Sequence, residues 1–272
     1  MVFYIYQFGQ SEYKVEPTKD IQQISSTLEK ELSTNGVVLI PNLVDEKLVD
    51  SLRKQSLDGV NHEAKRMGSS DYEDFGRLLF APVYGGSFLE LLELDFVKEL
   101  AKKYMDSSPT LYTMTTSCVP PKKSNYTSRI HRDNNIRPAG CVRLLIMQVL
   151  LDDFTSENGA PMFLKGSQRE ETKPSSEKFE ADAKMLTGKK GDVIFFDPWI
   201  WHRSTQNQSN EWRSCVLLGF VHPWMKQRFD VKSMLKSTDL SNCSEDVIEL
   251  LGLKNHPPKS WEEFHSNSKP IY

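Results

Sequence analysis

Residues 191–221, GDVIFFDPWIWHRSTQNQSNEWRSCVLLGFV, decide the fold class. Two short runs, Asp192–Phe196 and Ser214–Val221, are rich in Val, Ile, Leu and Phe. Turn formers bound them: Gly191-Asp192, Asp197-Pro198 and the polar stretch around Asn207. Short β-prone runs between such residues read as strands. The same grammar recurs upstream at Thr110–Cys118, Cys141–Leu151 and Pro161–Leu164. Several short strands at this density predict a β-sandwich or barrel.

Before Pro109 the period is helical. Ile21, Ile24, Leu28 and Leu32 recur at three- and four-residue spacing and predict a helix over Thr18–Ser33, ended by Asn35-Gly36. A short strand, Val37–Ile40, follows. A second helix starts near Asp45 and buries Leu48, Val49 and Leu52, and a third helical stretch covers roughly Phe88 to Tyr104. The tail beyond His222 holds one helix, from about Ser244 to Leu251, stopped by Gly252. No repeat and no Gly/Ser-rich linker divides the chain. It reads as a single domain over 1–272: a helical N-terminal part to about 108, a β core over about 109–222, and an extension over about 223–272. Arg169–Lys184, with nine charged residues in sixteen, reads as an exposed loop, either solvated surface or a lid over a site.

Composition narrows the function. With 38% hydrophobic and 26% charged residues, the 272-residue chain can build a sizeable core and is neither fibrous nor disordered. Its 34 basic and 37 acidic residues leave a charge of −3, so no global basic field holds nucleic acid or an anionic bilayer. The longest apolar stretch, Val142–Leu151, already contains Arg143 and Gln148 and falls well short of the ~20 residues of a membrane span. The opening MVFYIYQFGQ shows no basic segment leading into a long apolar one, so no secretory signal is expected. Cys118, Cys141, Cys215 and Cys243 are scattered without a CxxC pair and read as reduced thiols, which points to a cytoplasmic protein. The expected partner is a small-molecule substrate, not nucleic acid and not a membrane.

Six histidines allow a short search for metal ligands. In His131-Arg132-Asp133 a His and an Asp stand at i and i+2, which on a strand share one face. His202 is the best third ligand. Two imidazoles and a carboxylate on one face of an ion leave positions open, the arrangement of non-haem Fe(II) oxygenases. Arg213 opens the run Ser214–Val221. A guanidinium inside a β core needs an anion, since burial unpaired costs several kcal/mol, and its planar fork suits a carboxylate. Ser204, two residues after His202, faces the same side and can donate to the same anion. Asp152 and Asp153 precede a turn and read as solvated. His62, His222, His256 and His265 receive no role. Trp199 and Trp201 flank a ligand, and Trp201 is the candidate wall of a substrate pocket.

With these residues in place, the sequence resembles the phytanoyl-CoA dioxygenase-like family of Fe(II)/2-oxoglutarate oxygenases. The resemblance runs from Gly36-Val37-Val38-Leu39-Ile40-Pro41 to about Pro223. It rests on His131-x-Asp133, Glu157-Asn158-Gly159-Ala160 leading to Lys165-Gly166-Ser167, Gly191-Asp192 before His202, then Asn207 and Arg213. It implies a mainly β (α+β) fold, a double-stranded β-helix or jelly-roll core with helices at its N-terminal side. It implies Fe(II), 2-oxoglutarate and O2 as cofactor and co-substrates. The iron ligands carry over to His131, Asp133 and His202, and the distal carboxylate ligand of 2-oxoglutarate to Arg213, assisted by Ser204. Further co-substrate positions fall at Met114, Gln148 and Arg77. The chain departs from the family at Arg132, where relatives commonly have Gln, and at Lys165-Gly166-Ser167-Gln168, where relatives have Pro-Gly-Ser-His. Asp133 stands where the halogenating branch has Gly or Ala, so hydroxylation or desaturation is expected.

Two activities stay open on the residues: this oxygenase, and a non-oxygenase cupin-like metal-binding isomerase or small-molecule-binding module. Between Cys118 and Arg143 lie Lys122, Lys123, Arg129, Arg132, Arg137 and Arg143 against the single acid Asp133. This local excess in a slightly acidic chain predicts an anionic substrate, with Arg132 and Arg137 as its candidate contacts.

Overall fold

Asp20 caps α1 (Ile21–Thr34): its carboxylate accepts from the amides of Gln22 and Gln23, and Ile24, Leu28 and Leu32 form the buried stripe. Gly36, at φ 80°, takes the left-handed conformation that side chains resist and delivers the chain into β1 (Val37–Ile40). Asp45 caps α2 (Glu46–Met67), which ends where Gly68 turns left-handed. The third helical stretch is two helices, α3 (Ser87–Glu93) and α4 (Asp95–Met105), separated by the extended backbone of Leu94. The apolar spacing runs straight through that break, so periodicity could not register it. The computed structural model describes residues 18–124, 126–134, 143–254 and 260–266.

The β region contains β2 (Thr110–Val119), β3 (Leu145–Leu150), β4 (Pro161–Phe163), β5 (Lys184–Met185), β6 (Val193–Phe196), β7 (His202–Ser204) and β8 (Arg213–Val221). They form two antiparallel sheets. The larger has the order β1-β6-β3-β8-β2, and the smaller β5-β4-β7. The two-residue alternation of the larger sheet does the sorting. One face, with Val38, Ile40, Met147, Phe195, Leu218 and Phe220, packs against the helices. The other, with Val37, Leu39, Leu150, Ile194, Phe196 and Cys215, meets Phe163 of the smaller sheet. Strands buried on both faces read as near-continuous apolar runs, which is how the sequence presents them.

The structure departs from the sequence reading in places. β3 starts at Leu145, and Cys141 lies outside the described residues. The segment read as an exposed loop over 169–184 carries α5 (Ser176–Asp182), capped by Ser175, with Phe179 fully buried beside Leu164, Ala183 and Trp201. One apolar side chain among nine charges anchors a helix that composition alone assigns to solvent. Among the described residues the C-terminal extension holds three short helices rather than one: α6 (Val231–Met234), α7 (Glu245–Leu250) and α8 (Trp261–Ser266). Asp152 is not solvated. It accepts from Arg53 Nε at 2.6 Å and from the Ser214 amide at 2.8 Å, tying α2 to the root of β8. Asp153 pairs with Lys189 at 2.7 Å.

Gly191 joins the sheet to the start of α2. Its φ is 86°, its carbonyl accepts from the amides of Leu43 and Val44, and an added Cβ would lie 2.6 Å from the Val44 carbonyl oxygen. Gly191→Ala is expected to destabilise the fold by at least about 2 kcal/mol, read as a lower urea midpoint at unchanged slope.

Candidate metal centre

The two histidines are brought together by backbone pairing. The His131 amide donates to the His202 carbonyl at 2.9 Å, and the reverse bond is 3.0 Å. This isolated bridge extends the smaller sheet beyond β7 and sets the imidazole centroids 4.3 Å apart. The chain then bends, and the amides of Asp133 and Asn134 both donate to the Pro198 carbonyl, at 3.0 and 3.3 Å. Asp133 therefore reaches the site from a bend pinned to the β6–β7 turn, not from a continuous strand. Its Oδ1 lies 3.6 Å from His131 Nε2 and 3.9 Å from His202 Nε2. The ligand atoms of all three residues fall within 4.8 Å of one another, and the set can hold one metal ion.

Backbone carbonyls orient both rings. His131 Nδ1 lies 2.8 Å from the Arg129 carbonyl, and His202 Nδ1 lies 3.0 Å from that of Ile200. A carbonyl only accepts, so each Nδ1 carries the proton and each Nε2 presents its lone pair to the ion. Phe163 stacks on His202 at 5.4 Å and Phe196 meets its edge at 5.2 Å. Burial, with the nearby His202 ring adding to it, pushes His131 down to about 4. The imidazole is therefore neutral, as a ligand must be, at pH 7.

The triad opens into a cavity of about 880 Å³ between the sheets. Arg213 lies in its wall, 1% exposed, with Nε and Nη2 lacking any hydrogen-bond partner and Cζ 4.6 Å from the Phe154 ring centroid. Burial pushes this guanidinium below its ordinary range. Ser204 lines the same cavity, its hydroxyl 2.7 Å from that of Thr127. Gln148 also faces in, its amide donating to Cys215 Sγ at 3.2 Å, and Arg77 reaches the lining while pairing with Asp74 at 2.8 Å.

Other sequence assignments fall elsewhere. Met114 packs on the helix side of β2 and does not line the cavity. Its neighbours Thr113, Thr115 and Ser117 do, with a bulge at Tyr112 setting the register. The alternating hydroxyls of that strand were the available signal. Arg132 lines the cavity, yet its guanidinium donates to the carbonyls of Ser167 and Glu170 and lies 4.2 Å over the Trp201 ring. It fastens a loop instead of standing ready at the mouth. Arg143 is likewise held, by Glu29 at 2.7 Å. Arg137 lies outside the described residues. Trp201 lines the cavity, whereas Trp199 is core. Lys173, Trp224, Lys226 and Arg228, which sequence reasoning passed over, also line it.

Antiparallel sheets enclosing a two-histidine, one-carboxylate centre beside a buried arginine define a class of metal-dependent enzyme. The profile of the phytanoyl-CoA dioxygenase (PhyH) family matches residues 32–215, and the chain belongs to that family. An uncharacterized protein of Mycobacterium tuberculosis is 20% identical over 260 residues, covering 93% of this chain and 94% of the relative, and one of Mycobacterium bovis matches equally. The epimerase SnoN, solved in complex with Fe3+, alpha ketoglutarate and nogalamycin RO, has the same fold (TM-score 0.60, 16% identity, 74% of this chain and 85% of that one). AviO1 from Streptomyces viridochromogenes Tue57 is similar too (TM-score 0.56, 16% identity, 74% and 96%). EvdMO1 aligns over 73% of this chain with a TM-score of 0.59 and 18% identity, and this chain spans about half of that protein's length.

The purified chain is expected to bind one divalent transition-metal ion. His202→Ala should weaken binding by more than the ~10–100-fold that loss of an outer-shell partner costs, measured by titration calorimetry with Mn(II).

Proposed function

We propose that the chain is an Fe(II)- and 2-oxoglutarate-dependent dioxygenase, built on a double-stranded β-helix, that hydroxylates or desaturates an unactivated C–H of a small anionic metabolite. The observation that carries this reading is Arg213: a fully buried guanidinium, two of its nitrogens unpartnered, in the wall of the cavity that also holds the triad. A plain metal-binding barrel has no use for such a group. A 2-oxo diacid needs one, because its distal carboxylate must be held while the other end reaches the metal.

When bound, iron with 2-oxoglutarate and O2 supplies the oxidant that removes hydrogen from the substrate carbon, with release of succinate and CO2. His131, Asp133 and His202 would hold the metal through Nε2 and carboxylate oxygens. Arg213 would receive the distal carboxylate, and Ser204, already near the Thr127 hydroxyl, would donate beside it. Gln148, Thr115 and Ser117 complete a polar wall there, while Ile146, Phe196 and Leu217 exclude water from the reacting carbon. SnoN, an epimerase crystallised with Fe3+ and alpha ketoglutarate, favours a second outcome, inversion at the same carbon. Product analysis separates the two, since inversion inserts no oxygen and removes no hydrogen overall. Among the described residues no helix is long and apolar enough to cross a membrane. Burial pushes the Cys118 thiol up to about 12, which supports its reading as an inert core thiol.

Succinate release with Fe(II), ascorbate and 2-oxoglutarate is the direct assay. Asp133→Ala is expected to abolish it, and release at the wild-type rate from that variant would exclude this metal centre. Arg213→Ala removes one partner of a buried charge pair, a loss of ~3–5 kcal/mol, and should weaken 2-oxoglutarate binding to the Mn(II)-loaded protein at least about a hundredfold. Unchanged affinity would show that the co-substrate is held elsewhere.

A further inference from the structure

We propose that the segment 222–229, which leaves β8 along the mouth of the cavity, is its substrate-recognition edge. It selects an organic anion whose flat apolar part lies on Trp224 and whose charged group is held by Lys226 and Arg228. The inference rests on the oxygenase reading for the chemistry at the metal but is drawn from a different part of the cavity.

Three side chains pin the segment. His222 is held on both ring nitrogens, by Ser107 Oγ at 3.0 Å and the Arg143 carbonyl at 3.1 Å. Gln227 donates its side-chain amide to the carbonyls of Leu111 and Leu251, at 3.0 and 3.1 Å. Phe229 packs against Phe80 at 5.4 Å. The residues between these anchors, Trp224, Lys226 and Arg228, are exposed, and all three line the cavity. The chain turns after the first anchor, the Met225 amide donating to the His222 carbonyl at 2.9 Å, and beyond that turn both Lys226 and Arg228 line the cavity, two cations close in sequence and open to one anionic group. A pinned backbone presents them with little ordering left to do on binding.

Trp224 is the most telling of the three. It is 68% exposed although it borders a cavity, and its ring stacks on His222 at 5.6 Å and 17°. An indole supported from one side and exposed on the other is a platform for a planar apolar group. The cavity behind it offers Leu144, Leu217, Phe220 and Met225 to the rest of an apolar body.

Charge points the same way. Arg129, Lys173, Lys226 and Arg228 line the cavity, and the sole carboxylate in the described lining is Asp133, which the metal claims. Among the described residues Lys173, Lys226 and Arg228 have no ion-pair partner, in contrast to Arg53, Arg143 and Arg203, each of which faces a carboxylate. A cleft of one sign concentrates the opposite ion at its mouth and speeds its capture.

The test uses the Mn(II)- and 2-oxoglutarate-loaded protein with three probes: 1-naphthyl phosphate, neutral 1-naphthol and inorganic phosphate. Naphthyl phosphate is expected to bind at least about tenfold more tightly than naphthol. Lys226→Glu with Arg228→Glu should abolish that preference while leaving 2-oxoglutarate affinity within about twofold, because both side chains are exposed at the mouth and far in character from the Arg213 clamp. Trp224→Ala should weaken both naphthyl probes about fivefold or more and leave inorganic phosphate unchanged. Equal affinity for naphthyl phosphate and naphthol, or naphthyl phosphate bound by the double reversal as by the wild type, would overturn the assignment. Failure of the oxygenase reading shows itself separately, as loss of 2-oxoglutarate binding or of succinate release in a protein that still prefers the phosphate probe.

Discussion

Burying the guanidinium of Arg213 with two nitrogens unpartnered costs several kcal/mol, and the surrounding fold is arranged to bear it. The residue sits at the start of β8, between β3 and β2 in the larger sheet, where strands are covered on both faces. The helices α1–α4 pack one face and the smaller sheet the other, so apolar burial on both sides offsets the desolvated charge. Phe154 lies against the guanidinium, and Asp152 holds the next amide along while binding Arg53 of α2. The result is a buried positive point in the wall of the cavity.

The metal centre follows a different logic, that of backbone bonds made in advance of any ion. A reciprocal bridge joins His131 to His202, Pro198 gathers the amides around Asp133, and the carbonyls of Arg129 and Ile200 turn both rings. Every one of these contacts uses main-chain groups that must be satisfied in any case when buried. The orientation of the ligands is thus a by-product of satisfying the backbone, supported from below by Phe163 and Phe196. Such preorganisation keeps the rings from collapsing onto other partners when no metal is bound.

Depth and mouth of the cavity are chemically distinct. The inner end combines one buried cation with hydroxyls and an amide on strands of the larger sheet, while the outer end is basic and carries an exposed indole. This division lies within a chain of net charge −3, so the local field is set by where loops converge and not by overall composition. Arg132 shows how misleading a count of charges in sequence can be. Set between two residues able to hold a metal, it spends its donors on the carbonyls of Ser167 and Glu170, while Lys226 and Arg228 from beyond β8 line the cavity.

Much of the fold and the centre was legible in the chain. Period-2 and helical apolar patterns are local properties, so β2, β6, β8, α1 and the start of α2 could be placed within a few residues. The set of His131, Asp133 and His202 was legible because holding a metal ion demands particular side chains in a particular order. What the sequence could not decide is what depends on how distant segments meet. The bulge at Tyr112 put Thr113 and Thr115, not Met114, on the cavity side, since the phase of a strand is set by its partner. Leu94 separates two helices by its extended backbone, and the buried Phe179 anchors a helix in a charged segment. The pairing of Arg132 and Arg143, and the arrival of Trp224 at the mouth, were fixed only by tertiary contact. Local pattern determines which elements form and which chemistry they carry. The direction each side chain faces, and so its role, is decided by the elements packed against it.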